Sequence, residues 1–122
     1  MPAEQPLDSS TVQKLRRLGG DEFARQMIDI FLDFVPKKLA EARQAKEEAN
    51  LKGLEKSVHA VKSSAGNLGA ARFRDLASRI ESLSRENKSQ AAWALLPDLL
   101  GEFERVKNAL ETAKTTLGNN PA

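Results

Sequence analysis

Apolar residues recur three and four positions apart through nearly the whole chain, which is the spacing of one buried stripe on a helix. The last run is the most regular: Ala92, Leu96, Leu99, Phe103, Val106, Leu110, Ala113 and Leu117. Its steps alternate four and three, as in a helix that packs along a bundle seam. Before it comes Phe73, Leu76, Ala77, Ile80 and Leu83, fading at Asn87-Lys88-Ser89, and before that Leu51, Leu54, Val58, Val61, Ala65 and Leu68. Met27, Ile28, Phe31, Phe34, Val35, Leu39 and Ala42 form the inner face of a long helix that Asp21 can cap and that runs to about Ala49, with Asn50 capping the next one. A short first helix carries Val12, Leu15 and Leu18; Asp8, Ser9 and Ser10 offer caps and Gly19-Gly20 ends it. Pro36 sits inside the long pattern and should by itself kink or break it, and Pro97 can bend the start of the last helix. The connections are short, so sequence neighbours should pack antiparallel. The expected fold is all-α: an antiparallel up-and-down four-helix bundle with a short extra N-terminal helix. Residues 1–6 and 118–122 are expected to be flexible tails around one domain at 7–117.

Composition narrows the chemistry. The 122 residues include no cysteine and a single histidine, so a thiol nucleophile, a disulfide framework and a transition-metal site are all set aside. No glycine-rich phosphate loop is present, so no ATP site is expected. A net charge of +2 is weak support for nucleic-acid binding, and no nucleic-acid partner is expected. No apolar stretch has the length of a membrane span and the N-terminus has no signal-peptide core, so the expectation is a cytoplasmic protein with no membrane partner.

The single histidine lies on the third of these helices. At about 100° per residue, His59, Lys62, Ser63 and Gly66 fall together on a face well away from the Leu54–Val58–Val61–Ala65 stripe. A lone surface histidine is ordinarily without a role. Here the helix can bury its stripe and still hold out an imidazole, which is a competent nucleophile near neutral pH, with an ammonium one turn further on. Gly66 costs roughly 1 kcal/mol in a helix interior. It lowers the surface beside the imidazole, so that another protein can come close. Lys56, one turn before His59, is on the same side.

The run His59-x-x-Lys62-Ser63-x-x-Gly66-x-x-Gly69 resembles the signature of the histidine-containing phosphotransfer (HPt) domains of phosphorelays. The likeness extends over about residues 7–113, through Leu7-Asp8, Leu15, Leu18-Gly19-Gly20-Asp21, Phe31, Pro36, Leu39 and Gly69-Ala70-Ala71-Arg72-Phe73. The resemblance implies that the long helix continues through Pro36. It implies that His59 accepts a phosphoryl group on Nε2 and that Lys62 balances its charge. Ser63 and Asn67 are expected to donate hydrogen bonds, and Gly66 and Lys56 to meet the partner. It also implies a monomer whose partners are response-regulator receiver domains and a hybrid sensor kinase, with no cofactor of its own because Mg²⁺ comes from the receiver. Many members have Gly where this chain has Ser63, which places a hydroxyl near the phosphoryl position. A sensor kinase's dimerisation domain is a poorer match, since there an acidic residue typically follows the histidine and here Ala60 does. The alternative reading is an HPt-like helical adaptor that binds a signalling partner without phosphotransfer.

Overall fold

The structure, a computed structural model, describes residues 5–119. Four helices follow one another: α1 (Thr11–Glu47), α2 (Leu51–Asn67), α3 (Ala71–Arg85) and α4 (Ser89–Asn119). Among the described residues there is no strand. Each helix packs on its chain neighbours, and α4 returns to α1, which closes an antiparallel ring of four. The expected fold is the observed one.

The extra N-terminal helix is the first part of α1, continuous with the second except at Gly20, whose φ of 86° and ψ of −177° break the helical run. A left-handed φ is where glycine has no steric penalty, so the turn between the two parts falls on the Gly19-Gly20 pair. Asp8 folds its carboxylate onto the N–H (2.9 Å) and hydroxyl (2.8 Å) of Ser10, and no side chain caps α1 itself. Leu15 is buried as expected, but Leu18 is not: it is 77% exposed. Pro36 does not break α1, which continues to Glu47. It is exposed there, and its ring costs the helix one hydrogen bond rather than its course.

The three inter-helix turns share one geometry. Ala49, Gly69 and Asn87 each take a positive φ (52°, 69° and 60°). In each case the following N–H reaches back to the carbonyl five residues earlier: Asn50 to Ala45, Ala70 to Ala65 and Lys88 to Leu83. This double-bonded helix ending satisfies carbonyls that would otherwise be orphaned. Asn50 then caps α2 by accepting from the Gly53 N–H at 2.9 Å. Gly69 has a second task. Asp8 donates its N–H to the Gly69 carbonyl at 2.8 Å, and a Cβ at Gly69 would run into the side chains of Thr11 and Asp8. The N-terminal segment is therefore fastened on the turn that ends α2.

The core holds most of the predicted stripes, with Val12, Met27, Phe34 and Leu51 packed against it only partly buried. At its centre Phe31, Phe73 and Phe103, from α1, α3 and α4, meet with ring centroids 6.0–6.3 Å apart. Leu83 is only partly buried; Glu81 and Ser84 take the inner positions at that level of α3. Ala113 is also only partly buried, while the rest of the α4 stripe is inside. α4 runs two residues past Leu117, to Asn119, and the expected tails at 1–4 and 120–122 lie outside the described residues. Between α1 and α4 lies a groove of about 610 Å³, lined by Leu32, Pro36, Leu39, Leu100, Gly101 and Phe103 among others. In ring order it is on the side of the bundle away from the α2–α3 seam. Among the described residues no helix is long and apolar enough to cross a membrane.

Candidate functional site

α2 buries Leu54, Val58, Val61 and Ala65 and so turns His59 outward, with 66% of its side chain exposed. The outward face carries the other residues expected there. Lys56, Ser63, Gly66 and Asn67 are all exposed beside it. A Cβ added to Gly66 would find only the Arg74 Cδ, at 3.8 Å, an ordinary contact. The surface beside the imidazole is therefore open, and Gly66 is not needed for packing.

Lys62 is not a freely solvated lysine. Its Nζ lies 2.6 Å from Oε1 of Glu81, on the facing helix α3. The other oxygen of that carboxylate, Oε2, is 2.5 Å from Nδ1 of His59 and 2.9 Å from an Nη of Arg85. Arg85 also bonds Glu55 of α2 through Nε at 3.0 Å. Glu81 is the hub of this set and is only 2% exposed. Burial pushes its carboxyl up, but the hydrogen bonds from Lys62 and His59, with the charges of Lys62 and Arg85, outweigh burial and hold it below its ordinary value. Glu81 is thus the anion at neutral pH.

An ionised carboxylate can only accept hydrogen bonds. The proton of a neutral His59 therefore sits on Nδ1 and is donated to Glu81, which leaves the lone pair on Nε2. The arrangement offers a nucleophilic nitrogen of fixed tautomer on an open surface, with cationic Lys62 one turn away.

Glu81, Arg85 and Glu55 were not among the residues singled out from the sequence. The signal was present: Glu81 lies four residues after Ala77 and three before Ser84, on the buried edge of α3. A buried carboxylate requires cationic partners, and the chain's one histidine and Lys62 lie on the helix packed against that edge.

This chain belongs to the Hpt domain family, whose model matches residues 26–115. The phosphorelay intermediate protein rdeA of Dictyostelium discoideum is 26% identical over 102 residues, 84% of this chain. The match covers 40% of that protein's length. Among solved structures, histidine-containing phosphotransfer protein B (HptB) from Pseudomonas aeruginosa PAO1 has the same fold. Its TM-score is 0.85 at 21% identity, over 93% of this chain and 97% of that one.

Proposed function

We propose that this protein is a cytoplasmic phosphocarrier of a phosphorelay. It accepts a phosphoryl group on Nε2 of His59 from a receiver-domain phospho-aspartate and passes it to a second receiver. The observation that carries the reading is the division of labour on one imidazole: Nδ1 is held by a buried anion while Nε2 faces an open surface.

In the forward step the Nε2 lone pair attacks phosphorus, the P–O bond to the receiver's aspartate breaks, and the carboxylate leaves with that electron pair. Return transfer reverses these events. The transition state is loose and charge-rich, so positioning and charge neutralisation carry the catalysis. Lys62 supplies positive charge beside the ring. Ser63, one turn on, and Asn67 place hydrogen-bond donors on the same face, and Gly66 with Lys56 forms the ground on which the receiver rests. The Mg²⁺ and its acidic ligands belong to the receiver, and the phosphoryl group originates with a hybrid sensor kinase. The working form is a monomer.

The test is incubation with ³²P-labelled receiver domains and Mg²⁺. Label should appear on the wild type as an acid-labile, base-stable adduct and be absent from His59→Gln. Equal labelling of His59→Gln would overturn the assignment.

A further inference from the structure

Resting on that phosphocarrier reading, we propose that Lys62 changes partners during the reaction. It leaves Glu81 to meet the phosphoryl group on His59, and Arg85 is the positioning residue that makes this exchange possible.

In the structure Lys62 is committed to Oε1 of Glu81 at 2.6 Å, so its charge is directed at a buried carboxylate and not at the space outside Nε2. A phosphoryl group brings about −1.5 to −2 charge and three strong acceptor oxygens to a position one helical turn away. An ammonium on a flexible four-carbon stem can swing between the two. The obstacle is Glu81, which is 2% exposed, because a buried carboxylate stripped of its cation is strongly disfavoured.

Arg85 removes that obstacle. It bonds Oε2, the oxygen that Lys62 does not use, and is itself fixed by Glu55 at 3.0 Å. When Lys62 departs, Glu81 keeps one cation and its hydrogen bond from His59 Nδ1–H. The imidazole then stays in register as the P–Nε2 bond forms and the P–O bond breaks, with Nδ1 retaining its proton in both directions. Two cations on one buried carboxylate are more than its charge requires at rest. The surplus is what frees Lys62 for the transition state. Lys56, on the same helix, is exposed and bonds neither carboxylate, so it does not replace Arg85 in this role.

The test compares phosphotransfer rates, to and from a receiver, in wild type, Arg85→Ala, Lys62→Ala, the double variant of these two, and Arg85→Ala/Glu81→Gln. Arg85→Ala is expected to slow transfer roughly tenfold. The Arg85→Ala/Lys62→Ala pair should be slowed less than the product of the two single effects. Glu81→Gln should restore the Arg85→Ala rate to within about threefold of wild type, because no charge is then stranded. A rate for Arg85→Ala equal to wild type, or no rescue by Glu81→Gln, overturns the proposal. A second measurement does not depend on how the variants fold. The Lys62 Nζ resonance, followed by ¹⁵N NMR as phosphoramidate labels the wild type, should shift on phosphorylation, and an unmoved resonance also overturns it. Absence of label on wild-type His59 sinks the phosphocarrier reading itself, a result distinct from either of these.

Discussion

His59 and Glu81 stand 22 residues apart in the chain, and Nδ1 of the first lies 2.5 Å from Oε2 of the second. One is mostly in water and the other almost wholly out of it, so the contact joins the exposed face of α2 to the interior of the α2–α3 seam. The orientation of the ring is thereby set by the core.

This separates two substitutions at one position. Glu81→Gln keeps an acceptor for Nδ1–H, and Glu81→Leu removes it. Loss of the group that orients an imidazole costs roughly 10- to 100-fold where such a group aligns a ligand histidine. Transfer rates should fall by that order in Glu81→Leu and much less in Glu81→Gln. Lys62 and Arg85, 31% and 59% exposed, can be hydrated once the carboxylate is gone, so thermal melts of Glu81→Leu should fall only modestly while its transfer rate falls by that order. A parallel loss of stability and rate would make Glu81 a purely structural residue.

The same carboxylate predicts an acid dependence. Glu81 is held below the ordinary glutamate value of 4.5, because its cationic hydrogen-bond partners outweigh the burial that raises it. A group depressed in the folded state contributes stability above its unfolded value and loses it as the pH falls through its folded value. Wild type should therefore lose melting temperature below about pH 4.5 by an increment that Glu81→Gln lacks. Melting curves of both proteins at about pH 7 and pH 3 check this, and the gap between them should narrow at the lower pH.

Gly66 separates folding from docking. Only the Arg74 Cδ lies within 4 Å of an added Cβ. Gly66→Ala should accordingly stabilise the bundle by up to about 1 kcal/mol, as expected for an open helix position. Gly66→Gln should melt near wild type, accept phosphate from phosphoramidate normally and exchange it poorly with receivers. Equal exchange with receivers would mean that they do not approach across this face.

Gly69 and Gly101 should respond in opposite directions. Gly69 has φ of 69° and faces Thr11 and Asp8, so Gly69→Ala carries a left-handed penalty of about 1–2 kcal/mol plus the displacement of the N-terminal segment. Nothing lies within 4 Å of a Cβ at Gly101, and Gly101→Ala should gain about 0.5–1 kcal/mol. Chemical denaturation of the two variants measures both.

The sequence patterns that proved reliable were those in which one element alone decides the outcome. The α2 stripe through Leu54, Val58, Val61 and Ala65, the Asn50 cap and the Gly69 ending follow from helix period and backbone sterics, and all three are found. Leu18 was misjudged because period tells which face a residue shares but not whether a neighbouring element covers that face. Ala49 takes a positive φ that its residue type does not announce; the turn geometry common to all three connections imposes it. Glu81 stayed hidden for a related reason. A glutamate on the edge of an apolar stripe reads as solvated until His59, Lys62 and Arg85 are brought around it from two helices. The exposed half of the site was legible in one helix, and the buried half existed only in the pairing of two.

The groove between α1 and α4 has a bearing on motion. Pro36 of α1 lines it, and Pro97 of α4 lines a second hollow on the same seam with Arg43, Leu96 and Leu100. Each proline deletes one amide from its helix ladder, whereas α2 and α3 contain none. Missing rungs in two neighbouring helices are where transient opening costs least. Amide hydrogens flanking Pro36 and Pro97 should therefore exchange with solvent sooner than those of α2 around Val58 and Val61. That outcome would put the opening at the back of the bundle, away from the helix pair that aims the imidazole.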